Sequence, residues 1–333
     1  MAIRDVLKDL VVRHEVFVNV HDEVLTHLDG GYGPGISLVI GPAGVGKSHL
    51  MKALDAHLVH AAQHSGGKYA PPLVLEIFGP ETGDLSFKDL YTELLLQLQE
   101  PGLRQKRDPA VELEYRRKGM HAVPYRALSI AELRRLLLQA LRAQKPRVLL
   151  FDEGDHLKKT ETARGARIVL NVLKSLANRS EMRVVIFGTH ATQDLLFQGG
   201  QLTRRVAPIE FPRYPRTGPG LGQVAAILKE VAAATNATLA FDPASQAAFL
   251  YDHCLGCIGV LCDWFCRAAN RSKGQKVVRW RDFEATALTA KALEVMLTEF
   301  VSYELSHKPH AFDYEKVMHD VVASVRKSGT EEV

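Results

Sequence analysis

Eight consecutive residues of this chain have the types and spacing of a phosphate-binding loop. The stretch Gly41-Pro42-Ala43-Gly44-Val45-Gly46-Lys47-Ser48 fits the pattern G-x-x-x-x-G-K-[ST] at every position. Glycines let the backbone wrap closely, so that consecutive N–H groups point at phosphate oxygens, and the following helix adds its N-terminal dipole. We predict that the loop binds ATP, with Lys47 on the β and γ phosphates and Ser48 on Mg²⁺. The next residue, His49, is included in the predicted nucleotide-binding set.

Two adjacent acids end a short apolar run about 105 residues further along the chain. The run RVLLF at 147–151 leads directly to Asp152 and Glu153, as a buried strand would deliver two carboxylates to a sheet edge. Paired with a phosphate loop, Asp152 is predicted to hold Mg²⁺ and Glu153 to polarise the attacking water. Without that loop, a strand ending in solvated acids would be the preferred interpretation.

A polar residue follows a second apolar run, RVVIFG at 183–188. At such a strand end Thr189 is predicted to position the water or to sense the γ-phosphate. The alternative is that Thr189 caps a helix that begins at residue 191.

The elements that must position these residues alternate between strand and helix. Short, continuous, β-branched runs predict parallel strands that are covered on both faces, and helical patterns lie between them. This alternation indicates an α/β fold with a parallel sheet. The predicted strands are 36–40, 73–78, 147–152, 183–188 and 207–211, and the predicted helices between them are 47–62, 86–99, 131–143, 164–178 and 191–198.

The pattern changes at a segment rich in proline and glycine, 212–220, which reads as a linker. Beyond it the sequence is helical, with predicted helices over 221–235, 243–252, 257–270 and 281–304. We therefore expect an N-terminal extension (1–35), an α/β ATPase core (36–215), a helical lid subdomain (216–304) and a polar C-terminal tail (305–333).

This layout resembles that of AAA+ ATPases: a phosphate loop, adjacent acids after a strand, a polar strand tip and a helical lid. The resemblance implies that ATP lies between core and lid and that the protein assembles with copies of itself as a ring or helical oligomer. It also implies an arginine from the neighbouring subunit, for which Arg204 and Arg205 stand in the expected place. A solvated basic pair is the alternative for these two arginines.

A narrower resemblance is to the TniB/TnsC family of transposition AAA+ ATPases. It rests on RIVLNVLKSLAN (167–178), VVIFGTHAT (184–192) and LTRRVAPIEFPRY (202–214), and it spans about residues 36–215. Relatives in that family bind duplex DNA as ATP-dependent oligomers and bridge a target-selection protein and a transposase. Many AAA+ lids carry an arginine in a G-x-x-x-[AG]-R pattern, but the corresponding segment Gly256-Cys-Ile-Gly259-Val-Leu-Cys-Asp263 has none there, and Arg267 is the next candidate.

Basic charge is concentrated in one part of the chain. The whole chain carries a net charge of +4, whereas residues 101–150 alone carry +8. Clustered Lys and Arg are typical of contacts to the phosphates of DNA, and a solvated basic loop is the alternative. The predicted DNA contacts are Lys88, Arg104, Lys106, Arg107, Arg116, Arg117 and Lys118.

All four cysteines fall in one short stretch of the predicted lid: Cys254, Cys257, Cys262 and Cys266. They offer enough ligands for tetrahedral zinc, but there is a single C-x-x-C pair and no second pair at finger spacing. Small buried thiols are the favoured interpretation. His60 and His64 have the spacing of a metal pair without an evident third ligand, and His14, His190 and His253 are interpreted as structural.

Composition excludes several classes of protein. With 46% hydrophobic and 24% charged residues, the chain has enough apolar material for a core and is not a disordered protein. No run approaches the roughly 18 apolar residues of a membrane span, and the charged N-terminus does not resemble a secretory signal. We expect a cytoplasmic protein with no membrane partner.

The sequence thus predicts an ATP-dependent regulator of DNA transposition that assembles on target DNA and recruits a transposase, with hydrolysis controlling disassembly. The alternatives are a helicase-loader or replication-initiator ATPase, and a signalling or scaffold ATPase that never touches DNA. An ExeA-like secretion ATPase is a further alternative, but its membrane span or peptidoglycan-binding domain is not visible here.

Overall fold

The computed structural model describes residues 6–7, 10–30, 35–76, 86–98, 128–152, 154, 163–192, 206–272 and 276–307. The predicted tail (305–333) lies outside this set beyond residue 307, and so do residues 31–34 of the predicted N-terminal extension.

A five-stranded sheet has the strand order β2-β3-β4-β1-β5. The pairs β1–β4, β3–β4 and β2–β3 are parallel, and every residue of β1 and β3 is buried, as continuous apolar runs predict. This confirms the predicted α/β class. The strands are β1 (Ile36–Ile40), β2 (Leu73–Glu76), β3 (Val148–Asp152), β4 (Arg183–Gly188) and β5 (Val206–Glu210).

The register of the sheet brings the ends of its strands to one edge. Ile40, the last residue of β1, lies opposite Gly188, the last residue of β4. Asp152, the last residue of β3, lies opposite Glu76 of β2. Because β4 separates β1 from β3, the residue that follows β4 lies between the other two strand ends.

Five helices of the described residues accompany these strands: α1 (Glu15–Asp29), α2 (Lys47–Gln63), α3 (Phe87–Gln97), α4 (Ile130–Gln144) and α5 (Ala163–Ser180). Helix α4 begins with a capping box, in which Ser129 accepts from the Glu132 N–H and the Glu132 carboxylate accepts from the Ser129 N–H. Leucines of α3 and α4, including Leu94 and Leu137, pack with strand residues such as Phe151 in one apolar core.

The C-terminal part is helical, as predicted, and has its own core. Trp264 is fully buried there, its ring 5.0 Å from that of Phe283, and its Nε1–H donates to the Phe283 carbonyl oxygen. The elements are α6 (Gly218–Ala234), β6 (Thr238–Leu239), a 3₁₀ helix (Pro243–Gln246), α7 (Ala247–Cys254), α8 (Ile258–Arg271), β7 (Val277–Val278), α9 (Trp280–Glu284) and α10 (Ala290–His307).

Two predicted helices of this part are interrupted. The helix predicted over 281–304 breaks at residues 285–289, where the Thr286 hydroxyl donates to the Asp282 carbonyl and the Thr289 hydroxyl accepts from the Ala292 N–H. The helix predicted over 243–252 opens as a 3₁₀ turn, because Asp242 caps the N–H of Ala244. Short polar side chains thus compete locally with the helical hydrogen bonds.

The chain divides into two compact units that are each discontinuous in sequence. One consists of Met1–His21, Gly41–Leu50 and Glu210–Val333, and the other of Asp22–Ile40 and Met51–Ile209. The phosphate loop therefore belongs to the same unit as the C-terminal helices. The predicted boundaries at 35, 215 and 304 stay a proposal.

Among the described residues, no helix alone has both the length and the apolar character needed to cross a membrane. Two neighbouring helical segments have that length and apolar character only when taken together, and they are bent by 109° relative to each other: Pro243–Cys254 and Ile258–Arg271.

Candidate nucleotide-binding site

The phosphate loop follows β1, and its last two residues, Lys47 and Ser48, are the first two residues of α2. Two of its glycines have backbone angles in the left-handed region, with φ of +75° at Gly44 and +119° at Gly46. A side chain is strained there, so glycine is required at both positions for the loop to turn. Within the turn the Val45 N–H donates to the Pro42 carbonyl oxygen at 3.3 Å.

Gly41 is required for a different reason, a close approach of another segment. A Cβ built on Gly41 would lie 2.5 Å from the carbonyl oxygen of Phe211, which is the first residue after β5. Side-chain atoms essentially never come that close to backbone, so any larger residue would push the two segments apart. The first glycine of the motif therefore fixes the loop against residue 211.

Lys47 is folded onto the start of its own loop. Its Nζ donates to the carbonyl oxygens of Gly41 at 2.9 Å and Pro42 at 3.0 Å. Ser48 is exposed in the first turn of α2, and that turn contains no acidic residue. An ammonium group and a helix N-terminus without an acid together favour an anion.

The lid helix α8 meets the loop through backbone atoms. The Val260 N–H donates to the Gly44 carbonyl oxygen at 3.2 Å, and a Cβ on Gly259 would lie 2.5 Å from that same oxygen. Gly259 therefore permits a direct backbone contact between α8 and the loop. The sequence showed the missing arginine but gave no sign of the contact that Gly259 makes.

A cavity of about 400 Å³ opens beside the loop, which is within the usual size range of small-ligand sites. Its walls come from the N-terminal segment, the phosphate loop and α8, and all of them belong to one compact unit. The lining residues are Leu7, Leu10, Val12, His14, Phe17, Gly44, Val45, Gly46, Lys47, Ser48, His49, Ile258, Gly259, Cys262, Asp263 and Cys266. The lining thus combines basic and polar groups with apolar side chains.

The N-terminal wall was not predicted, and two histidines hold it. His14 Nδ1 lies 3.0 Å from the Tyr214 hydroxyl and accepts from the Phe17 N–H at 3.3 Å. Because Nδ1 accepts from a backbone donor, the neutral ring carries its proton on Nε2. Burial lowers the pKa of His14 to about 4, so the ring is neutral at pH 7.

His49 reaches the same wall from the other side. Its Nε2 lies 3.3 Å from the Leu7 carbonyl oxygen, which can only accept, so this nitrogen carries a proton. The predicted residue His49 thus lines the cavity and contacts the N-terminal segment.

The structure describes only some of the predicted catalytic residues. Asp152 is buried at the end of β3, and Glu153 lies outside the described residues, as do Arg204 and Arg205. Gly154 packs on β4, where a Cβ would lie 3.0 Å from the Phe187 carbonyl oxygen. This glycine permits the chain after the acid pair to approach the neighbouring strand.

Thr189 follows β4, between the ends of β1 and β3. Its hydroxyl oxygen accepts from the Ala191 N–H at 3.3 Å, and its carbonyl accepts from the Thr192 N–H at 3.0 Å. Both contacts are typical of a helix N-cap. The predicted role toward water or the γ-phosphate stays a prediction.

The predicted DNA contacts lie mostly outside the described residues, namely Arg104, Lys106, Arg107, Arg116, Arg117 and Lys118. Lys88 is described, half-buried in the first turn of α3.

The four cysteines are free thiols in the helical part. Cys254 and Cys257 are fully buried, and burial raises the pKa of Cys257 and of Cys262 to about 12. Cys262 and Cys266 line the cavity. Within the part of the chain that the structure describes, no group of three or more His, Cys, Asp or Glu side chains is placed to hold a metal ion.

The sheet order, the phosphate loop and the helical part define a P-loop nucleotide-binding protein. A model of the AAA domain family matches residues 30–196, half of the chain, and the protein belongs to this family. The predicted fold and the predicted ATPase class are thereby confirmed.

Solved structures agree on the fold. The ORC1 protein of Aeropyrum pernix, solved in complex with DNA, aligns with a TM-score of 0.56 and 17% identity over 96% of this chain and 85% of that one. The ORC2 protein of the same organism aligns with a TM-score of 0.54 and 13% identity, over 96% of this chain and 87% of that one. A Walker-type ATPase of Pyrococcus abyssi aligns with a TM-score of 0.51 and 17% identity, over 91% of this chain and 77% of that one. No curated protein sequence is matched significantly.

Proposed function

We propose that this AAA protein is an ATP-dependent regulator of DNA transposition. In this role it binds ATP with Mg²⁺, assembles with copies of itself on duplex DNA, and brings a transposase to a site marked by a target-selection protein. ATP favours the assembled state, and hydrolysis releases it.

The observation that carries the nucleotide part of the proposal is the cavity beside the phosphate loop. Its lining includes Lys47 and the N-terminus of α2, which suit phosphates. Its lining also includes apolar side chains such as Leu10 and Ile258, which suit a nucleobase. Ser48 and Asp152 would hold Mg²⁺, which supplies charge neutralisation at the phosphates.

The proposed hydrolytic residues follow from the sequence pattern and from the strand ends. Glu153 acts as the base toward water, and Thr189 positions that water from the adjacent strand end. Arg204 or Arg205 reaches the nucleotide of a neighbouring subunit. The register that sets the ends of β1, β4 and β3 at one edge supports the roles of Asp152 and Thr189.

The DNA part rests on charge. Residues 101–150 carry a net charge of +8, and within that segment Arg135, Arg142 and Lys145 are exposed on or just after α4. Exposed basic groups in excess over acids attract the phosphates of DNA. The similarly folded ORC1 protein was solved with DNA, which supports the same partner here.

That likeness also favours a second candidate, a replication-initiator ATPase. Two of the similar folds are ORC proteins. The pattern over 167–214 favours the transposition role instead. The two roles differ in assembly: a transposition regulator coats duplex DNA as a nucleotide-dependent oligomer, whereas an initiator occupies defined sequences.

Electron microscopy with duplex DNA tests the proposal, with and without a non-hydrolysable ATP analogue. Rings or filaments on DNA that require the analogue are the expected result. Footprinting of the same complexes on mixed-sequence DNA is expected to give continuous protection, and discrete preferred sites would favour the initiator role. No assembly at low salt, together with intact ATP binding and an ATPase rate that ignores DNA, would point to a scaffold ATPase and overturn both roles.

A further inference from the structure

The turn between α7 and α8 is held from outside by two neighbouring residues, Arg213 and Tyr214. Arg213 Nη1 donates to the Leu255 carbonyl oxygen at 3.2 Å, and the Tyr214 N–H donates to the Gly256 carbonyl oxygen at 3.0 Å. Gly256 has φ of +74°, and a Cβ there would lie 2.3 Å from the Tyr214 carbonyl oxygen. The turn therefore fits against residues 213–214 closely enough to exclude a side chain.

Arg213 is in turn held by the last helix, α10. Its Nε and Nη2 donate to the two carboxylate oxygens of Glu304 at 2.8 and 2.9 Å, and Nη1 also donates to the Tyr251 hydroxyl at 3.1 Å. The side chains are only 11% and 21% exposed, and the guanidinium lies 5.7 Å from the centre of the Phe300 ring. A planar fork with this set of contacts is specific to arginine.

Tyr251 closes the network. Its hydroxyl accepts from Arg213 and donates to the Tyr214 carbonyl oxygen at 2.7 Å. Burial alone lowers the pKa of Arg213, and the hydrogen bonds and charge of Glu304 more than offset this, so the pKa is raised. Burial also raises the pKa of Tyr251. Arg213 is thus charged and Tyr251 neutral throughout the physiological range.

The other end of this arrangement is the phosphate loop. Helix α8 begins at Ile258, three residues after Leu255, and its first turn donates from Val260 to Gly44 of the loop. A continuous series of contacts therefore runs from Glu304 through Arg213 and the 255–256 turn to the loop. It approaches the cavity at Gly259, which is one of the residues that line the cavity.

We propose that Arg213 is a positioning residue for nucleotide binding, which, paired with Glu304, sets the start of α8 against the phosphate loop. The inference rests on the proposed function in one respect, that the cavity beside the loop binds ATP. It makes α10 part of the support of the nucleotide site, although no atom of α10 lines the cavity among the described residues.

The test compares Arg213→Lys with Arg216→Lys in the full-length protein. Arg216 makes the same forked pair, with Asp252 of α7 at 2.8 and 3.0 Å, and is therefore a matched control. For Arg213→Lys we expect the Kd for a fluorescent ATP analogue to rise about tenfold, while kcat at saturating ATP stays within twofold. The Val260 amide is expected to exchange its hydrogen faster in Arg213→Lys and at the wild-type rate in Arg216→Lys.

Tyr251→Phe keeps the ring and removes the hydroxyl that links Arg213 to Tyr214, so it carries the test if Arg213→Lys does not fold. We expect a rise in Kd of about threefold. Equal Kd values for wild type and both Arg213→Lys and Tyr251→Phe would overturn the inference, as would equal losses in the Arg213 and Arg216 variants. A wild-type protein that binds no ATP would instead sink the proposed function together with the inference drawn from it.

Discussion

Gly259 approaches the backbone of Gly44 so closely that there is no room for a side chain on Gly259. A Cβ on Gly259 would lie 2.5 Å from the Gly44 carbonyl oxygen, and a Cβ on Gly44 would lie 2.5 Å from Val260 Cγ2. The lid helix therefore contacts the phosphate loop without using a charged side chain.

This contact predicts the effect of Gly259→Ala. Alanine favours the helix by up to about 1 kcal/mol, but its methyl group displaces α8 from the loop. We expect ATP affinity to fall about tenfold without a loss of overall stability, as measured by equilibrium binding and urea unfolding. Gly222→Ala is the control, because a Cβ there meets nothing within 4 Å. It is expected to raise the free energy of unfolding by roughly 0.5–1 kcal/mol and to leave affinity unchanged. Equal affinities in the two variants would contradict the prediction.

Lys47→Ala is expected to abolish nucleotide binding at micromolar ATP. The ammonium group held at Gly41 and Pro42 is the main positive charge of the loop, and its loss leaves the phosphates without a partner. Calorimetric titration with ATP measures this, and Lys52→Ala, an exposed lysine of the same helix, is the control. Full nucleotide affinity and unchanged self-association in Lys47→Ala would refute the assignment of the site.

Glu153→Gln is expected to separate binding from hydrolysis. The amide keeps the size of the carboxylate but cannot accept a proton from water, so ATP binds and is not cleaved. Complexes with duplex DNA should then persist in ATP, whereas wild-type complexes dissociate. Gel-shift lifetimes in ATP measure this difference. Weaker DNA binding by Glu153→Gln than by wild type would argue against hydrolysis as the release step.

The lowered pKa of His14 predicts that the protein loses stability when the pH falls. Its pKa is about 4 in the folded protein and about 6.5 when unfolded, so the unfolded chain binds the proton more readily. The contribution is complete above pH 6.5 and is lost as the pH falls from about 6.5 to about 4. Between pH 7 and pH 5 we expect wild type to lose about 2 kcal/mol more than His14→Asn, which keeps a capping side chain. Urea unfolding at the two pH values measures this, and parallel losses would show that His14 does not titrate as described.

Two ion pairs are expected to respond differently to neutralisation. Glu304→Gln leaves the buried Arg213 without its counter-charge and should cost roughly 3 kcal/mol of unfolding free energy. Asp29→Asn breaks a pair with Arg147 whose side chains are 74% and 45% exposed, and should cost less than about 1 kcal/mol. Thermal and urea unfolding compare the two. A small effect at Glu304 would mean that water reaches the pair.

The sequence predicts the strands well where burial alone decides them. β1 and β4 were predicted to the residue, because continuous apolar runs between turn-forming residues leave few alternatives. The helix predicted over 281–304 was wrong at residues 285–289, near its start. Thr286 and Thr289 are residue types that a helix accepts, but here they interrupt it through specific hydrogen bonds. Propensity does not reveal such local competition.

The site shows the same division. The phosphate loop is recognisable because its chemistry is local, in eight adjacent residues. The wall made by Leu7, Leu10 and His14 is not, because it depends on contacts with Tyr214 and His49 that are about 200 and 40 residues away. His14 was interpreted as structural, and it both caps α1 and lines the cavity.

The N-terminal wall has a practical consequence for work with this protein. The sequence predicts an N-terminal extension here, yet its described residues Leu7, Leu10, Val12, His14 and Phe17 line the ligand cavity. Trimming the chain to the segment that the AAA family model covers would remove these lining residues, along with every helix from α6 onward. A trimmed protein that fails to retain ATP would therefore say nothing about the intact one.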